Sequence, residues 1–168
     1  TDVNFLGMAF QPDFVWIKGR SDAEGARLFD SIRGANKAIF SNSTGEETTV
    51  TNELTSIDAN GFTLGSNENV NQSSQTYVAW SWKAGGAAVS GSSSQATNVT
   101  YSANPDAGFS IVKFRSSSST AQPPPMNYIT HGLNSNVEMT IYKRLDSTQN
   151  WVVQHKDLNQ STALSLNL

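Results

Sequence analysis

The sequence contains no cysteine, and this absence excludes disulfide bridges, thiolate metal sites and cysteine nucleophiles. Charged residues account for only 15% of the 168 positions, and the net charge is −3. An isoelectric point near 5.2 gives no basic field that would attract nucleic acid or an anionic membrane surface. The sequence also has no uninterrupted apolar run long enough to cross a bilayer as a helix. We therefore expect neither nucleic acid nor a membrane as a partner.

Short uncharged polar side chains take the place of the missing charges: 23 serines, 15 threonines and 16 asparagines. These side chains compete with the helical backbone for hydrogen bonds, so they disfavour a helical bundle. The 8 phenylalanines, 4 tryptophans and 4 tyrosines argue against disorder, because disordered chains are poor in aromatic residues and highly charged. The composition therefore favours a folded protein built from strands.

Runs rich in Val, Ile, Tyr, Phe, Trp and Thr recur between turn residues, and each run predicts a short β-strand. The turn signal Asn60-Gly61 precedes one of these runs directly. One window, 21–34, also has a broken helical pattern, but two glycines interrupt it. The nine predicted strands are 14–18, 27–31, 38–41, 62–65, 76–83, 109–115, 139–143, 151–155 and 164–168. This pattern predicts an all-β, jelly-roll-like β-sandwich.

The chain resembles itself when Lys18 is aligned with Lys143, an offset of 143 − 18 = 125 residues. Gly7 then meets Gly132, and Asn42 meets Asn167. We predict a tandem repeat of two related modules, one or both of them incomplete, and a chain taken from a longer array. Because the first copy has no counterpart of the strand at 109–114, we expect an unpaired sheet edge and dependence on neighbouring modules or subunits.

Two stretches of low complexity suggest where the modules are divided. Residues 85–98 contain no charge and no aromatic side chain, which is typical of a linker or a long surface loop. Residues 116–125 end in three prolines and predict an exposed loop. We therefore divide the chain into a first β module at 1–86, a linker or long loop at 87–104 and a second β module at 105–168.

No catalytic constellation is present in the sequence. Glu46 and Glu47 are adjacent, so in a strand they would point to opposite faces instead of forming a glycosidase pair. The pairs Glu53 with Asp58 and Asp22 with Glu24 lie in loop-like context, where solvated carboxylates are expected. His131 and His155 occupy separate segments without a third ligand nearby in sequence. We expect no enzyme activity, no catalytic residues and no metal site.

Two weaker candidates remain from the polar residues. The oxygens of 58–61 and 67–69 could hold calcium, but Asp and Asn are also the ordinary residues of turns, so we expect no resident cofactor. Asp30 lies between Arg27 and Arg33. A structural ion pair is the favoured interpretation, and an arginine that binds a carboxylate or a sugar is the alternative.

The strand predicted at 76–83 places Trp80 and Trp82 on the same face of a sheet. Core packing beneath a sandwich is the favoured interpretation, because tryptophan is a large apolar side chain. The alternative is an exposed platform on which a sugar ring stacks. Trp80, Trp82, Trp16 and Trp151 are therefore the candidate carbohydrate-binding residues.

Four stretches carry a resemblance to a known family: 10–20 (Phe-Gln-Pro-Asp-Phe-Val-Trp-Ile-Lys-Gly-Arg), 28–34 (Leu-Phe-Asp-Ser-Ile-Arg-Gly), 61–65 (Gly-Phe-Thr-Leu-Gly) and 77–86 (Tyr-Val-Ala-Trp-Ser-Trp-Lys-Ala-Gly-Gly). They resemble the repeated modules of bacteriophage tail-fibre, tail and appendage proteins, of the type found in phages of marine bacteria and cyanobacteria. Residues 108–114, followed by His131-Gly132-Leu133 and Lys143-Arg144, are similar to the start of the next module.

The resemblance implies a concanavalin-A/laminin-G-like jelly roll located in the virion. It also implies other virion subunits as partners, a homo-oligomer such as a trimer, and a role in assembly or host-surface attachment. It supplies no catalytic residues. The expected function is thus a non-enzymatic structural module of a virion, and the alternative is a carbohydrate-binding domain, of a phage adhesin or a secreted bacterial protein, that recognises host-surface polysaccharide.

Overall fold

The structure is a computed structural model that describes residues 1–21, 23–94, 96–117, 129–159 and 162–168. Within these ranges it contains thirteen strands and one short helix, α1 (Glu68–Asn71). The strands are β1 (Val3–Leu6), β2 (Phe14–Gly19), β3 (Arg27–Asp30), β4 (Lys37–Phe40), β5 (Thr48–Thr49), β6 (Leu54–Asp58), β7 (Gly61–Leu64), β8 (Tyr77–Trp82), β9 (Val89–Ser90), β10 (Ala96–Asn104), β11 (Phe109–Ser116), β12 (Met139–Tyr142) and β13 (Val152–His155).

The predicted all-β architecture is confirmed, and the window at 21–34 holds β3 in place of a helix. Across the part of the chain that the structure describes, no helix is both long and apolar enough to span a membrane. The loop predicted at 116–125 falls, from residue 118 onward, outside the described residues.

Two antiparallel sheets share the main core and form a sandwich. One has the strand order β5-β4-β3-β2-β8, and the other has the order β1-β7-β6. Val15 and Ile17 on β2 point into the core, because side chains alternate along a strand. They pack with Phe29 of β3 and with Phe62 and Leu64 of β7. Full burial of each such side chain stabilises the fold by about 1.5–3 kcal/mol. We call this side of the five-stranded sheet its inner face and the opposite side its outer face.

A close hairpin joins β6 to β7, as the signal Asn60-Gly61 predicts. Asp58 pairs with Gly61, so only Ala59 and Asn60 lie between the paired residues. A Cβ atom at Gly61 would overlap the carbonyl oxygen of Phe5 on the neighbouring strand β1. The glycine is therefore required for β1 to approach β7.

A buried ion pair crosses the core, and it corrects one sequence-based expectation. The sequence predicts a solvated turn carboxylate at Glu53, but this residue is buried. Arg27 Nε donates to both of its carboxylate oxygens, each at 3.1 Å. Asn69 Nδ2 also donates to Glu53 Oε1 at 2.9 Å. The partners lie 26 and 16 residues away in sequence, so only the folded chain brings them together.

The segment predicted as a linker contains much of a third sheet, with the order β11-β10-β9. The prediction of a linker or long loop at 87–104 is wrong for β10, whose residues pair with β11 from Ala96↔Ser116 to Asn104↔Phe109. Val99 is buried and packs with Ile129 and Phe114. The composition of 85–98 favours a linker, but pairing with β11 and packing in this small core make the end of that segment part of a strand.

The strand register repeats at the offset of 125 residues. In the first copy Val15 pairs with Phe29 and Trp16 with Leu28, and in the second copy Thr140 pairs with Gln154 and Ile141 with Val153. The bridge between Leu28 and Ile39 likewise recurs as the bridge between Val153 and Leu164.

Backbone details recur at the same offset. Ser31 N donates to Asp13 O at 2.8 Å, and Lys156 N donates to Glu138 O at 2.7 Å. Gly7 and Gly132 both have a positive φ, of 99° and 74°. The predicted repeat is therefore a repeat of backbone structure, even where the side chains differ.

Candidate functional site

Aromatic side chains line the outer face of the five-stranded sheet where β2 meets β8. Phe14 pairs with Trp82, and Trp16 pairs with Trp80, so all four side chains point to the same side. Trp80 is 46% exposed and Trp82 is 38% exposed. The favoured sequence interpretation, in which both tryptophans pack into the core, is therefore wrong. The inner face of β8 carries Tyr77, Ala79 and Ser81 in their place.

The rings contact one another in the geometry that aromatic pairs prefer. The ring centroids of Trp16 and Trp80 lie 6.1 Å apart and nearly perpendicular, and those of Phe14 and Trp82 lie 5.3 Å apart. Phe109 of β11 joins them, 6.4 Å from Trp82 with the two rings close to parallel. We call Phe14, Trp16, Trp80, Trp82 and Phe109 the aromatic face.

A cavity of about 320 Å³ lies at one end of β2 and β8. Its polar lining includes Gln11, Asp13, Lys83 and Asn104, together with the backbone of 84–86. The cavity lies at the end of the strands that carry the aromatic face: Asp13 precedes Phe14, Lys83 follows Trp82, and Asn104 pairs with Phe109. Its volume falls at the lower end of the range for small-molecule pockets, about 300–1,000 Å³.

Asp13 organises the wall of this cavity. It is buried, and its Oδ2 accepts hydrogen bonds from the backbone N–H groups of Ala84 at 2.8 Å and Gly86 at 3.2 Å. Gln11 Nε2 donates to the other carboxylate oxygen at 2.8 Å. With its oxygens engaged in this way, Asp13 holds the chain after β8 in place. Asn104 Oδ1 accepts a hydrogen bond from Ala107 N at 3.1 Å, so the ammonium group of Lys83 and the amide NH2 of Asn104 remain as the polar groups for a ligand.

Trp151 lies over β3 and β4, in the buried cluster against which Phe14 and Trp16 of the aromatic face also pack. It is only 4% exposed and packs against Leu28 and Ile39 on the outer face of the sheet. Its indole N–H donates to Phe40 O at 2.8 Å, and its backbone N–H donates to Asn167 Oδ1 at 2.8 Å. Of the four candidate tryptophans, Trp16, Trp80 and Trp82 lie on the aromatic face, whereas Trp151 is buried in the cluster against which Trp16 packs.

The segment 143–151 holds the second copy against the first. Lys143 Nζ donates to the carbonyl oxygens of Thr44 at 3.1 Å, Arg144 at 2.9 Å and Gln149 at 3.1 Å. Glu47 N donates to Leu145 O at 2.9 Å, and Gln149 N donates to Thr44 O at 3.0 Å. Partial burial lowers the pKa of Lys143, and the negative charge of Glu46 opposes this shift. We call 143–151 the docking segment.

The other charged candidates are engaged within the fold. Arg33 Nε is bonded to Asp30, and Arg33 also donates to the carbonyl oxygens of Leu28 and Lys37. The structural ion pair of Asp30 therefore forms with Arg33, while Arg27 pairs with Glu53. These contacts leave the sugar-binding arginine without support from the geometry.

The oxygens considered for calcium serve turns and a helix cap. Asp58 Oδ2 accepts from the hydroxyls of Ser56 and Thr63, and Asn67 Oδ1 accepts from Asn69 N at the start of α1. His131 and His155 each accept a hydrogen bond from a backbone N–H two residues later. Among the residues that the structure describes, no group of three His, Asp or Glu side chains is placed to hold a metal ion.

Sequence reasoning missed Phe14 and Phe109. Phe14 and Trp16 alternate on a predicted strand in the same way as Trp80 and Trp82, so the pattern that singled out β8 also identifies Phe14. Phe109 had no such signal, because its position depends on β10, a strand that the composition concealed.

All 168 residues match a family described as Domain of unknown function (DUF7483). The chain belongs to this family. No curated protein and no solved structure is significantly similar to it. The aromatic face, the cavity and the docking segment are therefore the features from which a function can be inferred.

Proposed function

We propose that this chain is a non-enzymatic structural module of a bacteriophage virion, part of a tail, fibre or capsid/neck appendage. In this role it serves assembly and host-surface attachment, with other virion subunits as partners in a homo-oligomer such as a trimer. The observation that carries the proposal is the packing of one repeat copy on the other. Trp151 and the docking segment of the second copy cover Leu28 and Ile39 of the first.

The chemistry of this contact suits a repeated structural element. Apolar side chains and backbone hydrogen bonds contribute to it, and Lys143 adds a charged donor. A surface with few charges also allows identical units to pack closely without like-charge repulsion. The sequence resemblance to phage appendage modules supplies the virion as the location.

The proposal is tested on purified phage particles that encode the chain. Antibodies raised against the 168-residue chain are used for immunogold electron microscopy, and the particles are analysed by mass spectrometry. We expect labelling on the tail, fibre or neck. Recovery of the chain only in the medium, with none in purified particles, would contradict the virion location.

A second candidate function, carbohydrate binding, has its own supporting observation. The aromatic face exposes Trp80 and Trp82 beside a cavity lined by Lys83 and Asn104. Exposed rings next to a few polar groups match the composition of sites that bind the apolar face and hydroxyls of a small polar ligand. Host-surface polysaccharide is the ligand class that this arrangement suggests.

Tryptophan fluorescence titration with host polysaccharide tests the second candidate. Saturable quenching that is lost in Trp80→Ala and Trp82→Ala supports it. Trp151→Phe is the matched control, because Trp151 is buried over β3 and β4, away from the exposed rings of Trp80 and Trp82 on β8, and its replacement should leave binding unchanged. Absence of saturable quenching with the native chain would leave the structural role alone.

A further inference from the structure

The second repeat copy exposes an apolar surface on one side of its sheet. Met139 is 57% exposed, Ile141 is 46% exposed and Leu164 is 55% exposed. Ile141 pairs with Val153, and Val153 forms a bridge with Leu164. Ile141, Val153 and Leu164 therefore make a continuous row across neighbouring chain segments. Contiguous exposed apolar side chains of this kind mark interaction surfaces. We call Met139, Ile141, Val153 and Leu164 the second-copy face.

The first copy shows what covers the equivalent surface. At the 125-residue offset, the four residues of the second-copy face correspond, in order, to Phe14, Trp16, Leu28 and Ile39 of the first copy. All four residues belong to the cluster that packs with Trp151, Leu145 and Leu166 of the second copy. In the first copy Leu28 and Ile39 are buried and Phe14 and Trp16 are partly buried, whereas in the second copy Met139, Ile141 and Leu164 are exposed and Val153 is partly buried.

We propose that the second-copy face binds the docking segment of a further repeat of the same kind, through residues equivalent to Leu145 and Trp151. Val153 and Leu164 then take the places of Leu28 and Ile39, and the carbonyl of Ser165 takes the place of Phe40 O as acceptor for the indole N–H. Successive repeats stack in one direction, each on the outer face of the one before it. The inference rests on the proposed assembly role and names its partner.

A second copy of this chain does not supply the docking segment. In each chain that segment already contacts its own first copy, through Lys143, Leu145 and Gln149. Exchange of these segments between two chains would still leave both second-copy faces exposed. Each further repeat brings one docking segment and one new exposed face. Its docking segment can therefore cover the second-copy face without breaking an existing contact.

An extended chain tests the proposal directly. Residues 44–168 are appended after residue 168, because residue 169 of the repeat series corresponds to Thr44 (44 + 125 = 169). Because the native sequence has no cysteine, Ile141→Cys gives a single thiol whose reaction with a maleimide reports exposure. Val89→Cys, at a similarly exposed apolar position outside the face, is the matched control.

We expect the thiol at position 141 to react about tenfold more slowly in the extended chain than in the 168-residue chain, because the face is then covered most of the time. The thiol at position 89 should react at the same rate in both chains. Equal reactivity at position 141 in an extended chain that unfolds cooperatively would overturn the proposal. Slowing that persists when Trp151 of the appended segment is replaced by alanine would also overturn it, because the appended β8 would then account for the protection.

A second measurement applies if the extended chain does not fold. A synthetic peptide of residues 143–151 is added at millimolar concentration to the 168-residue chain that carries Ile141→Cys. Protection by this peptide, and none by the same peptide with alanine in place of Trp151, supports the proposal. No protection by either peptide counts against it. Both measurements use purified chains, so they are independent of whether virions contain the protein.

Discussion

Replacement of Trp151 by alanine removes the largest side chain between the two repeat copies. The ring is almost fully buried against Leu28 and Ile39, and its N–H donates to Phe40 O. Burial of a tryptophan removes roughly 150–250 Å² from water, which at about 25 cal/mol per Å² corresponds to about 4–6 kcal/mol. Measured losses for such truncations are about 3–5 kcal/mol. We therefore expect Trp151→Ala to lower the free energy of unfolding by about 4 kcal/mol.

Urea unfolding followed by circular dichroism measures this loss. Trp151→Phe keeps most of the buried ring and loses the hydrogen bond, so it should cost about 1 kcal/mol from that bond, plus a smaller loss from the reduced ring. Trp80→Ala is the control for loss of an exposed ring and should cost well under half as much as Trp151→Ala. Amide hydrogen exchange should quicken at Glu47 and Gln149, whose N–H groups bond across the contact.

Two results would refute this reasoning. The first is a loss below about 1 kcal/mol for Trp151→Ala, because the buried area alone predicts more. The second is an equal loss for Trp80→Ala and Trp151→Ala, since the two rings differ about tenfold in exposed fraction, 46% against 4%. Either result would mean that the second copy does not pack on the first in solution.

Three further predictions concern the core, a strand edge and pH. Glu53→Leu leaves the buried Arg27, among the described residues, with only the 3.7 Å ion pair to the exposed Glu24 and should cost about 3–5 kcal/mol in urea unfolding, and the added change Arg27→Met should recover part of this loss. Gly61→Ala should detach β1 from β7, seen as faster amide exchange in β1, whereas Gly45→Ala should not. Burial raises the pKa of Tyr142 above 10.0, so the folded state holds this proton more tightly and stability falls as pH rises beyond 10.0. Tyr142→Phe should lessen that fall between pH 9 and 11, measured by urea unfolding, and an unchanged slope would contradict the assignment.

Local patterns in the sequence predict much of the sandwich. The alternation in 14–18 and 76–83 determines which side chains of β2 and β8 share a face, because the period of a strand is two residues. The Asn60-Gly61 signal locates the β6–β7 hairpin. The 125-residue offset predicts strand pairs that the structure reproduces residue by residue. These features depend on spacing alone, and spacing is visible in a single sequence.

Features that depend on distant contacts were not predictable in this way. Glu53 looks like a turn carboxylate until Arg27 and Asn69 are folded around it. The strand β10 is composed mostly of small and polar residues, and its partner β11 supplies the pairing and apolar contacts that define it. Whether Trp80 faces the core or solvent depends on which side of its sheet the second sheet packs against. Neither the alternation of residues nor the composition shows which side this is.

The two copies differ in the side chains on the outer face of their sheets. At the covered half of the outer face, Leu28 and Ile39 correspond to Val153 and Leu164, so aliphatic residues occupy both copies. Next to them, Phe14 and Trp16, which are partly buried against the same cluster, correspond to Met139 and Ile141. The proposed stacking of repeats needs only apolar area, and aliphatic residues such as Met139 and Ile141 provide it. Stacking alone therefore does not explain why the first copy has aromatic rings at Phe14 and Trp16. Stacking covers β3 and β4 and leaves Trp80 and Trp82 exposed on the edge strand β8. The proposed stacking over β3 and β4 is therefore compatible with the proposed binding of a sugar at Trp80 and Trp82.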